Sequence, residues 1–273
     1  MSAVRWQSRR KRSTKEVDVA EETRTLVIAH RGNSGVAPAN TMESIRQAVE
    51  LGVDIIELDV RSSRDGVPVL IHDDTVDETT DGSGSVLSLD LAQLKRLDAG
   101  SWKDKKYAGE RIPTLREALE FARGRVSLSL DLKDEAIIPA MIGAVHEADM
   151  VDDVVICGCC EPQAEKIRAI DKSIAVLFNT DSQLDELADR ADKSDFVREY
   201  IHRASRGGLA ALNVSFKYVT SELIHKAHIR ALPVWTWTAD DKKDMRHLIK
   251  MGVDAIYTNY PERLLEVLRR STA

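Results

Sequence analysis

The stretch Leu51-Gly52-Val53-Asp54-Ile55-Ile56-Glu57-Leu58-Asp59-Val60 passes from a helix end to a buried strand within ten residues. Gly52 is the residue type that most often follows the last turn of a helix, because glycine adopts a left-handed conformation without strain. The run from Ile55 is mostly apolar on both faces, which is typical of a parallel strand that is covered on both sides. A matching stretch, Met251-Gly252-Val253-Asp254-Ala255, lies near the C-terminus and indicates repeated βα units.

Short apolar runs alternate with helical patterns along the whole chain. The runs are Leu26–His30, Ile55–Asp59, Val126–Asp131, Val154–Cys157, Ile174–Phe178, Ala210–Asn213, Pro233–Trp237 and Ala255–Thr258. The helical patterns are Thr41–Leu51, Leu115–Arg123, Ile137–Ala148, Pro162–Ala169, Ser182–Ala191 continuing through Asp195–Ser205, Ser221–His228, Lys242–Met251 and Pro261–Arg270. Eight strands, each followed by a helix over roughly 250 residues, predict an α/β fold of the (β/α)8 TIM-barrel type. An open doubly wound sheet is the alternative, but no run resembles a blunted edge strand.

One segment interrupts this alternation after the second strand. Asp65-Gly66 is a hairpin turn signal, and residues 73–113 follow it without a strong core pattern, so they are expected to form a functional loop or small subdomain. We therefore predict a TIM-barrel domain over residues 25–273 with an insertion at about 73–113. Residues 1–24, basic and then acidic, are expected to be a disordered tail, with a weak anchor to anionic membranes or RNA as the alternative.

The composition restricts the class of ligand and the compartment. A formal net charge of −6 offers no general attraction for nucleic acid, so an anionic substrate must be held by a metal or by a few local cations. The three cysteines are too few and too closely spaced for a disulfide framework. The apolar runs are shorter than a secretory signal or a membrane span requires. We expect a cytoplasmic protein that binds a small molecule, with no nucleic-acid partner and no stable membrane association.

Ionisable residues collect at the carboxyl ends of the first three predicted barrel strands, which meet at one mouth of a barrel. Glu57 and Asp59 are two residues apart, so they face the same side of their strand, and Asp131 ends the next barrel strand. Three carboxylates are hard oxygen ligands for Mg²⁺ or Ca²⁺, and we expect no cysteine or histidine nearby, which favours these ions over zinc. The alternative is a core network in which arginine and lysine neutralise the carboxylates.

Two histidines and two cations have the same position relative to these strands. His30 ends the first strand and His72 ends the apolar run of the hairpin, which suits general acid–base chemistry near neutral pH, although a histidine at a strand end is often structural. Arg31 and Lys133 are candidate phosphate contacts, and pairing with the carboxylates is compatible with that role.

Two further groups lie at strand ends. We interpret Cys157, Cys159 and Cys160 as small residues at the mouth of the fourth strand, because no second cysteine pair is present to complete a zinc site. Trp235 and Trp237 share one face of their strand, so Trp237 either contacts the ligand or fills the barrel core.

Together these motifs resemble the glycerophosphodiester phosphodiesterase family, in order and at the expected spacing from about residue 26 to 265. The motifs are His30-Arg31-Gly32, Pro38-Ala39-Asn40-Thr41, Glu57-Leu58-Asp59-Val60, Asp65-Gly66-Val67-Pro68-Val69-Leu70-Ile71-His72-Asp73, Ile112-Pro113-Thr114-Leu115-Arg116-Glu117, Trp235-Thr236-Trp237-Thr238 and Gly252-Val253-Asp254-Ala255-Ile256-Tyr257-Thr258-Asn259-Tyr260-Pro261.

The resemblance implies a barrel with a small insertion after the second strand, and hydrolysis of glycerophosphodiesters to sn-glycerol 3-phosphate and an alcohol. It implies one divalent cation, Mg²⁺ or Ca²⁺, as cofactor. The residues that it implies are Glu57, Asp59 and Asp131 as metal ligands, His30 and His72 as the acid–base pair, Arg31 and Lys133 as phosphate contacts, and Trp237 near the alcohol of the substrate. We assign His72 as the acid and His30 as the base, and the sequence leaves the opposite assignment open.

Two positions depart from the family pattern. Ala39 stands where the family usually has glutamate, so the contact made by that glutamate is missing. Asp131 stands where glutamate is usual, and because aspartate is one methylene shorter, the ion is expected to lie nearer this strand or to be bridged by water.

Three alternative functions remain at this stage. One is a lysophospholipase D-type hydrolase that uses the same site on an acyl-bearing substrate. Another is a barrel that binds phosphorylated metabolites without catalysis, although the intact histidines and carboxylates argue against it. The third is an aldolase-type barrel in which Lys133 forms a Schiff base.

Overall fold

The computed structural model describes residues 25–271, and the predicted tail over residues 1–24 lies outside the described residues. Within the described range the strands are β1 (Leu26–His30), β2 (Ile55–Ser62), β3 (Pro68–Leu70), β4 (Ser127–Leu132), β5 (Val154–Cys159), β6 (Ala175–Asn179), β7 (Ala211–Ser215), β8 (Val234–Trp237) and β9 (Ala255–Thr258). The helices of that range are α1 (Met42–Leu51), α2 (Leu91–Leu94), α3 (Leu115–Ala122), α4 (Ile138–Glu147), α5 (Glu161–Ile170), α6 (Ser182–Ala188), α7 (Ser194–Gly207), α8 (Ser221–His228), α9 (Lys242–Met251) and α10 (Pro261–Ser271).

Every strand except β3 belongs to a closed parallel barrel. The neighbours follow the order β1, β2, β4, β5, β6, β7, β8 and β9, and β9 pairs with β1 to close the ring. The predicted TIM barrel is therefore confirmed. β2 continues three residues beyond the predicted end at Asp59, because Val60, Arg61 and Ser62 pair with the antiparallel strand β3.

The two matching glycine–valine–aspartate segments perform the same structural task. Gly52 and Gly252 follow α1 and α9 in the left-handed conformation, with φ of 76° and 90°. The carboxylate of Asp54 then accepts a hydrogen bond of 2.7 Å from the backbone N–H of Val27, and Asp254 accepts one of 2.7 Å from Val234. Each aspartate thus ties the start of its own strand to the start of a neighbouring strand, which explains why the signature recurs.

Alternation along the strands divides the apolar residues between two layers. Those packed inside the barrel are Ile28, Ile55, Cys157, Leu177, Ala211, Trp235, Ala255 and Tyr257. The opposite face of each strand is covered by helices, as Ile56 and Leu58 of β2 illustrate. Because Glu57 and Asp59 have the same parity as Ile55, their side chains point into the barrel, above the apolar interior.

The insertion contains its own small core, although residues 73–113 show no strong core pattern in the sequence. A separate buried cluster consists of Val69, Ile71, Val76, Val86, Leu94, Ala99 and Ile112. These residues come from β3, short turns and the single-turn helix α2, and their spacing follows neither a helical nor a strand period. That irregularity explains why periodicity did not reveal the cluster.

The segment predicted as one continuous helix from Ser182 to Ser205 is two helices, α6 and α7. The carboxylate of Asp192 accepts a hydrogen bond of 2.9 Å from the backbone N–H of Ser194, a local turn that competes with helix continuation. Among the described residues, no helix combines the length and the apolar character needed to cross a membrane.

Candidate active site

Three carboxylates meet at the carboxyl ends of β2 and β4. Glu57, Asp59 and Asp131 each contribute one oxygen to a set whose members lie within 4.8 Å of one another. The parallel register that pairs Asp59 with Asp131 brings the two aspartates side by side. Glu57 and Asp59 are 1% and 0% exposed, so their charges cannot be stabilised by bulk water. The structure thus gathers the three residues that the sequence singled out as metal ligands.

Arg31 and Lys133 neutralise part of this charge. The guanidinium Nε of Arg31 lies 3.0 Å from Asp59 Oδ2, and Lys133 Nζ lies 3.0 Å from Asp59 Oδ1 and 2.9 Å from Asp131 Oδ2. Burial raises the pKa of Asp59, but the two cations outweigh it and the net pKa is lowered. For Asp131 burial dominates, and the pKa is raised despite Lys133. The pairing expected as a structural alternative is therefore present.

Glu57 is the least compensated of the three carboxylates. Its Oε2 accepts a hydrogen bond of 2.9 Å from the backbone N–H of Arg31, while its buried Oε1 has no hydrogen-bond partner among the described residues. Burial, followed by the negative charges of Asp59 and Asp131, raises the pKa of Glu57 well above its ordinary value. Two buried carboxylates and a partly exposed third, with two side-chain cations and one unpartnered oxygen, fit a bound divalent cation, which would satisfy that oxygen and remove the repulsion.

His30 has a fixed orientation beside Glu57. Its Nδ1 lies 2.8 Å from Asn259 Oδ1, and Asn259 Nδ2 donates a hydrogen bond of 2.7 Å to Asp240 Oδ2. Because Asp240 takes the amide N–H, the amide oxygen faces His30, and Nδ1 must carry the proton in neutral His30. The other nitrogen, Nε2, lies 3.8 Å from Glu57 Oε2. Burial and then the charge of Arg31 lower the pKa of His30 to about 4.

His72 lies on the insertion side of the carboxylates. Its Nδ1 is 2.7 Å from Asp73 Oδ1, and its backbone oxygen accepts a hydrogen bond of 2.8 Å from Arg61 Nε. Its charge contributes to lowering the pKa of Asp59, so the imidazole is within electrostatic range of the cluster. A cavity of about 40 Å³ separates the insertion from the barrel here, lined in part by Arg31, Ala39 and His72. Ala39, where the family pattern has glutamate, therefore borders this space.

Trp237 lies on the same face of β8 as Trp235, at the end of the strand, and packs against the apolar residues inside the barrel. Its buried indole Nε1 has no hydrogen-bond partner within residues 25–271. A buried donor of this kind can bind an oxygen of a ligand.

Among the cysteines, Cys157 points inward and lies 3.3 Å from the Ser129 hydroxyl. Cys159 belongs to the outer layer, and Cys160 precedes α5. In the described part of the chain, the three carboxylates form the one group of histidine, cysteine or acidic residues with metal-ligand spacing.

The sequence patterns did not identify three polar residues of the site as functional candidates, namely Asn40, Asp240 and Asn259. Asn40, at φ of 59°, donates a hydrogen bond of 2.7 Å to Asp59 Oδ2 and accepts one of 3.1 Å from the Asp59 backbone N–H. Asp240 and Asn259 closely follow β8 and β9, and this position at the carboxyl ends of barrel strands could have identified them. The premise that no histidine lies near the carboxylates was wrong, because β1 pairs with β2 and brings His30 opposite Glu57.

Comparisons with known proteins identify the family of this chain. The chain matches the Glycerophosphoryl diester phosphodiesterase family over residues 30–263. It is 34% identical over 255 residues to the glycerophosphodiester phosphodiesterase of Caldanaerobacter subterraneus subsp. tengcongensis, which covers 90% of this chain and 99% of that protein.

Solved structures show the same fold. A phosphodiesterase from Oleispira antarctica, in complex with the product sn-glycerol-3-phosphate, superimposes with a TM-score of 0.78 at 30% identity, covering 89% of this chain and 96% of that one. The glycerophosphodiester phosphodiesterase of Agrobacterium tumefaciens str. C58 gives a TM-score of 0.75 at 26% identity, covering 89% and 100%. The chain therefore belongs to the glycerophosphoryl diester phosphodiesterase family and is an enzyme of that family.

Proposed function

We propose that this enzyme hydrolyses glycerophosphodiesters to sn-glycerol 3-phosphate and an alcohol, using a divalent cation and two histidines. The observation that carries the proposal is the buried carboxylate cluster with one unpartnered Glu57 oxygen, beside a histidine whose free nitrogen faces the cluster. The product named for the related Oleispira antarctica structure supports sn-glycerol 3-phosphate as the product here.

Glu57, Asp59 and Asp131 would hold one Mg²⁺ or Ca²⁺ ion, since their donors are all carboxylate oxygens. Such an ion supplies neutralisation of the phosphodiester oxygens and polarisation of phosphorus when bound. Arg31 and Lys133 contribute to the same task, because each has donors beyond those that its carboxylate partners occupy. Asn40 fixes Asp59 from the side away from Lys133.

His30 is the base in this scheme. With the proton of neutral His30 held on Nδ1 by Asn259, the lone pair of Nε2 is free to accept a proton from the attacking water or a neighbouring substrate hydroxyl. His72 is the acid, and its Nε2 donates a proton to the departing alkoxide while Asp73 accepts a hydrogen bond from Nδ1. Trp237 contacts the alcohol portion of the substrate through its indole ring and N–H.

The test is glycerol 3-phosphate release from a panel of glycerophosphodiesters, assayed with Mg²⁺, with Ca²⁺ and with EDTA. Activity is expected with at least one of the ions and not with EDTA. His30→Ala and His72→Ala are each expected to lose about 10²–10⁴-fold in activity, the usual contribution of general acid–base catalysis. Retention of more than about a tenth of the activity by either variant would contradict the two-histidine scheme.

Two additions to the panel distinguish the alternatives. Faster hydrolysis of lysophospholipids, which releases acylated glycerol 3-phosphate, than of glycerophosphodiesters would favour the lysophospholipase D-type function. Borohydride trapping of Lys133 with a carbonyl substrate would favour the aldolase-type function. The cytoplasmic location and the lack of nucleic-acid and membrane partners stay predictions from the sequence.

A further inference from the structure

Gly158 lies in an irregular part of β5, beside the carboxylate cluster. The register between β5 and β6 shifts between Ile156 and Cys159, which marks a bulge, and Gly158 has φ of 71°. A Cβ atom at this position would lie 1.9 Å from Asp131 Oδ1 and 3.0 Å from the Leu132 backbone oxygen. The backbone of the bulge therefore occupies the space directly beside the Asp131 carboxylate.

The Asp131 carboxylate is confined from two directions. Gly158 closes the side of Oδ1, and Lys133 Nζ lies 2.9 Å from Oδ2. The glycine is itself held in place, because its backbone N–H donates a hydrogen bond of 2.9 Å to Asn179 Oδ1. That same oxygen accepts a hydrogen bond of 3.2 Å from Asn213 Nδ2. A row of contacts thus runs from β7 through β6 and β5 to Asp131 on β4.

We propose that Gly158 is a positioning residue for Asp131 as a metal ligand, which deepens the function proposed above and rests on it. Of the three carboxylates Asp131 is the most exposed, at 23% of its side chain, so it needs support from its surroundings more than Glu57 or Asp59 does. The bulge at Gly158 supplies that support with backbone atoms. Any side chain there must drive Asp131 Oδ1 from 1.9 Å to at least 3.0 Å away from the new Cβ.

A displacement of that size matters for a metal site. Oxygen ligands bind Mg²⁺ at about 2.0–2.1 Å and Ca²⁺ at about 2.3–2.6 Å, so a shift of about 1 Å removes a ligand from either ion. The loss of groups that support a ligand typically weakens metal binding by about 10- to 100-fold. Gly158→Ala is expected to weaken binding of the ion by this factor.

The chain provides a matched control for backbone strain. Gly124, which follows α3, has φ of 73°, and a Cβ built on it meets nothing within 4 Å. Gly124→Ala therefore carries the same left-handed strain without a contact. Chelator-treated wild type, Gly158→Ala and Gly124→Ala are titrated calorimetrically with Mg²⁺ and with Ca²⁺. The expected result is weaker binding by Gly158→Ala and unchanged binding by Gly124→Ala, and equal binding by the two variants would overturn the proposal.

A thermal cycle tests whether the effect passes through Asp131. Asp131→Ala removes the oxygen that the new Cβ meets, so Gly158→Ala in that background should lower Tm no more than Gly124→Ala does. A larger loss of Tm in the double variant contradicts the proposal. If Gly158→Ala alone is insoluble, recovery of soluble protein on adding Asp131→Ala supports the contact, and insolubility of the double variant overturns it.

The titration also separates this inference from the function on which it rests. Wild-type protein that binds neither ion would refute the metal part of the proposed function and this inference with it. Wild-type binding that survives in Gly158→Ala would refute this inference alone.

Discussion

Asn259 determines which nitrogen of His30 carries the proton, because its side-chain oxygen lies 2.8 Å from His30 Nδ1. Its side-chain Nδ2 donates a hydrogen bond of 2.7 Å to Asp240 Oδ2, and its backbone N–H donates one of 2.8 Å to Asp240 Oδ1. Its oxygen also accepts a hydrogen bond of 2.8 Å from the Ser34 hydroxyl. The side-chain amide therefore cannot rotate without losing several hydrogen bonds. Its fixed oxygen in turn fixes the orientation of the His30 ring.

Asn259→Ala is expected to lower kcat by about 10- to 100-fold, part of what a positioned base contributes, because His30 loses its fixed tautomer and orientation. KM should change little, since Asn259 acts through His30. Asn33→Ala, which removes a buried amide bonded to Gln47, serves as the control. An Asn259→Ala enzyme with wild-type kcat would show that the tautomer of His30 does not depend on this contact.

The uncompensated charge of Glu57 predicts a conflict between stability and function. Because burial and the neighbouring aspartates disfavour its ionised form, Glu57→Gln should raise the Tm of the metal-free protein. The same change should abolish the rise in Tm that Mg²⁺ or Ca²⁺ produces. Both effects are measured by thermal unfolding of chelated and metal-loaded protein. A lower Tm of chelated Glu57→Gln would mean that the carboxylate is satisfied without an ion.

At the scale of elements, Arg203 of α7 connects that helix to the starts of α5 and α6. Its Nη2 donates a hydrogen bond of 2.6 Å to Glu161 at the start of α5 and also bonds Asp181, the residue before α6. Hydrogen bonds from Arg203 lower the pKa of both carboxyl groups. Its side chain is 11% exposed, so one residue of α7 holds the beginnings of two other helices.

Arg203→Met should destabilise the protein by about 1–3 kcal/mol at neutral pH, the usual cost of removing a charged hydrogen-bond partner. Because the two acids have lowered pKa values, their contribution is complete above their ordinary pKa of about 4 and is lost as pH falls through the lowered values. The difference between wild type and Arg203→Met should therefore shrink in acid. Urea unfolding between neutral and acidic pH measures it, with the exposed Arg206→Met as control. A difference that is constant or grows in acid would contradict this account.

The elements also show which parts of the fold and of the site sequence patterns can predict. The barrel strands could be predicted because each is a continuous apolar run, and Glu57, Asp59 and Asp131 stood out because they interrupt or end such runs. The core of the insertion could not, because its apolar residues lie on short turns with no period. The supporting role of Gly158 was equally invisible, since it depends on a bulge and on a contact between side chain and backbone that spacing does not encode.

At the scale of the whole molecule, the barrel converts residues that are far apart in sequence into one acidic site. The closed ring brings His30, Glu57, Asp131 and Asn259 from four different strands or strand ends to the same mouth. The formal net charge of −6 would repel an anionic substrate, so local charge must attract it. Arg31, Lys133 and a bound cation would together reverse the sign of the potential at the mouth.

A crystal structure of the enzyme grown with Ca²⁺ and sn-glycerol 3-phosphate tests this arrangement most directly. We expect one ion in contact with carboxylate oxygens of Glu57, Asp59 and Asp131, and a phosphorus atom between His30 Nε2 and the His72 ring. An ion bound elsewhere, or a phosphate with both histidines on one side of it, would contradict the proposed mechanism.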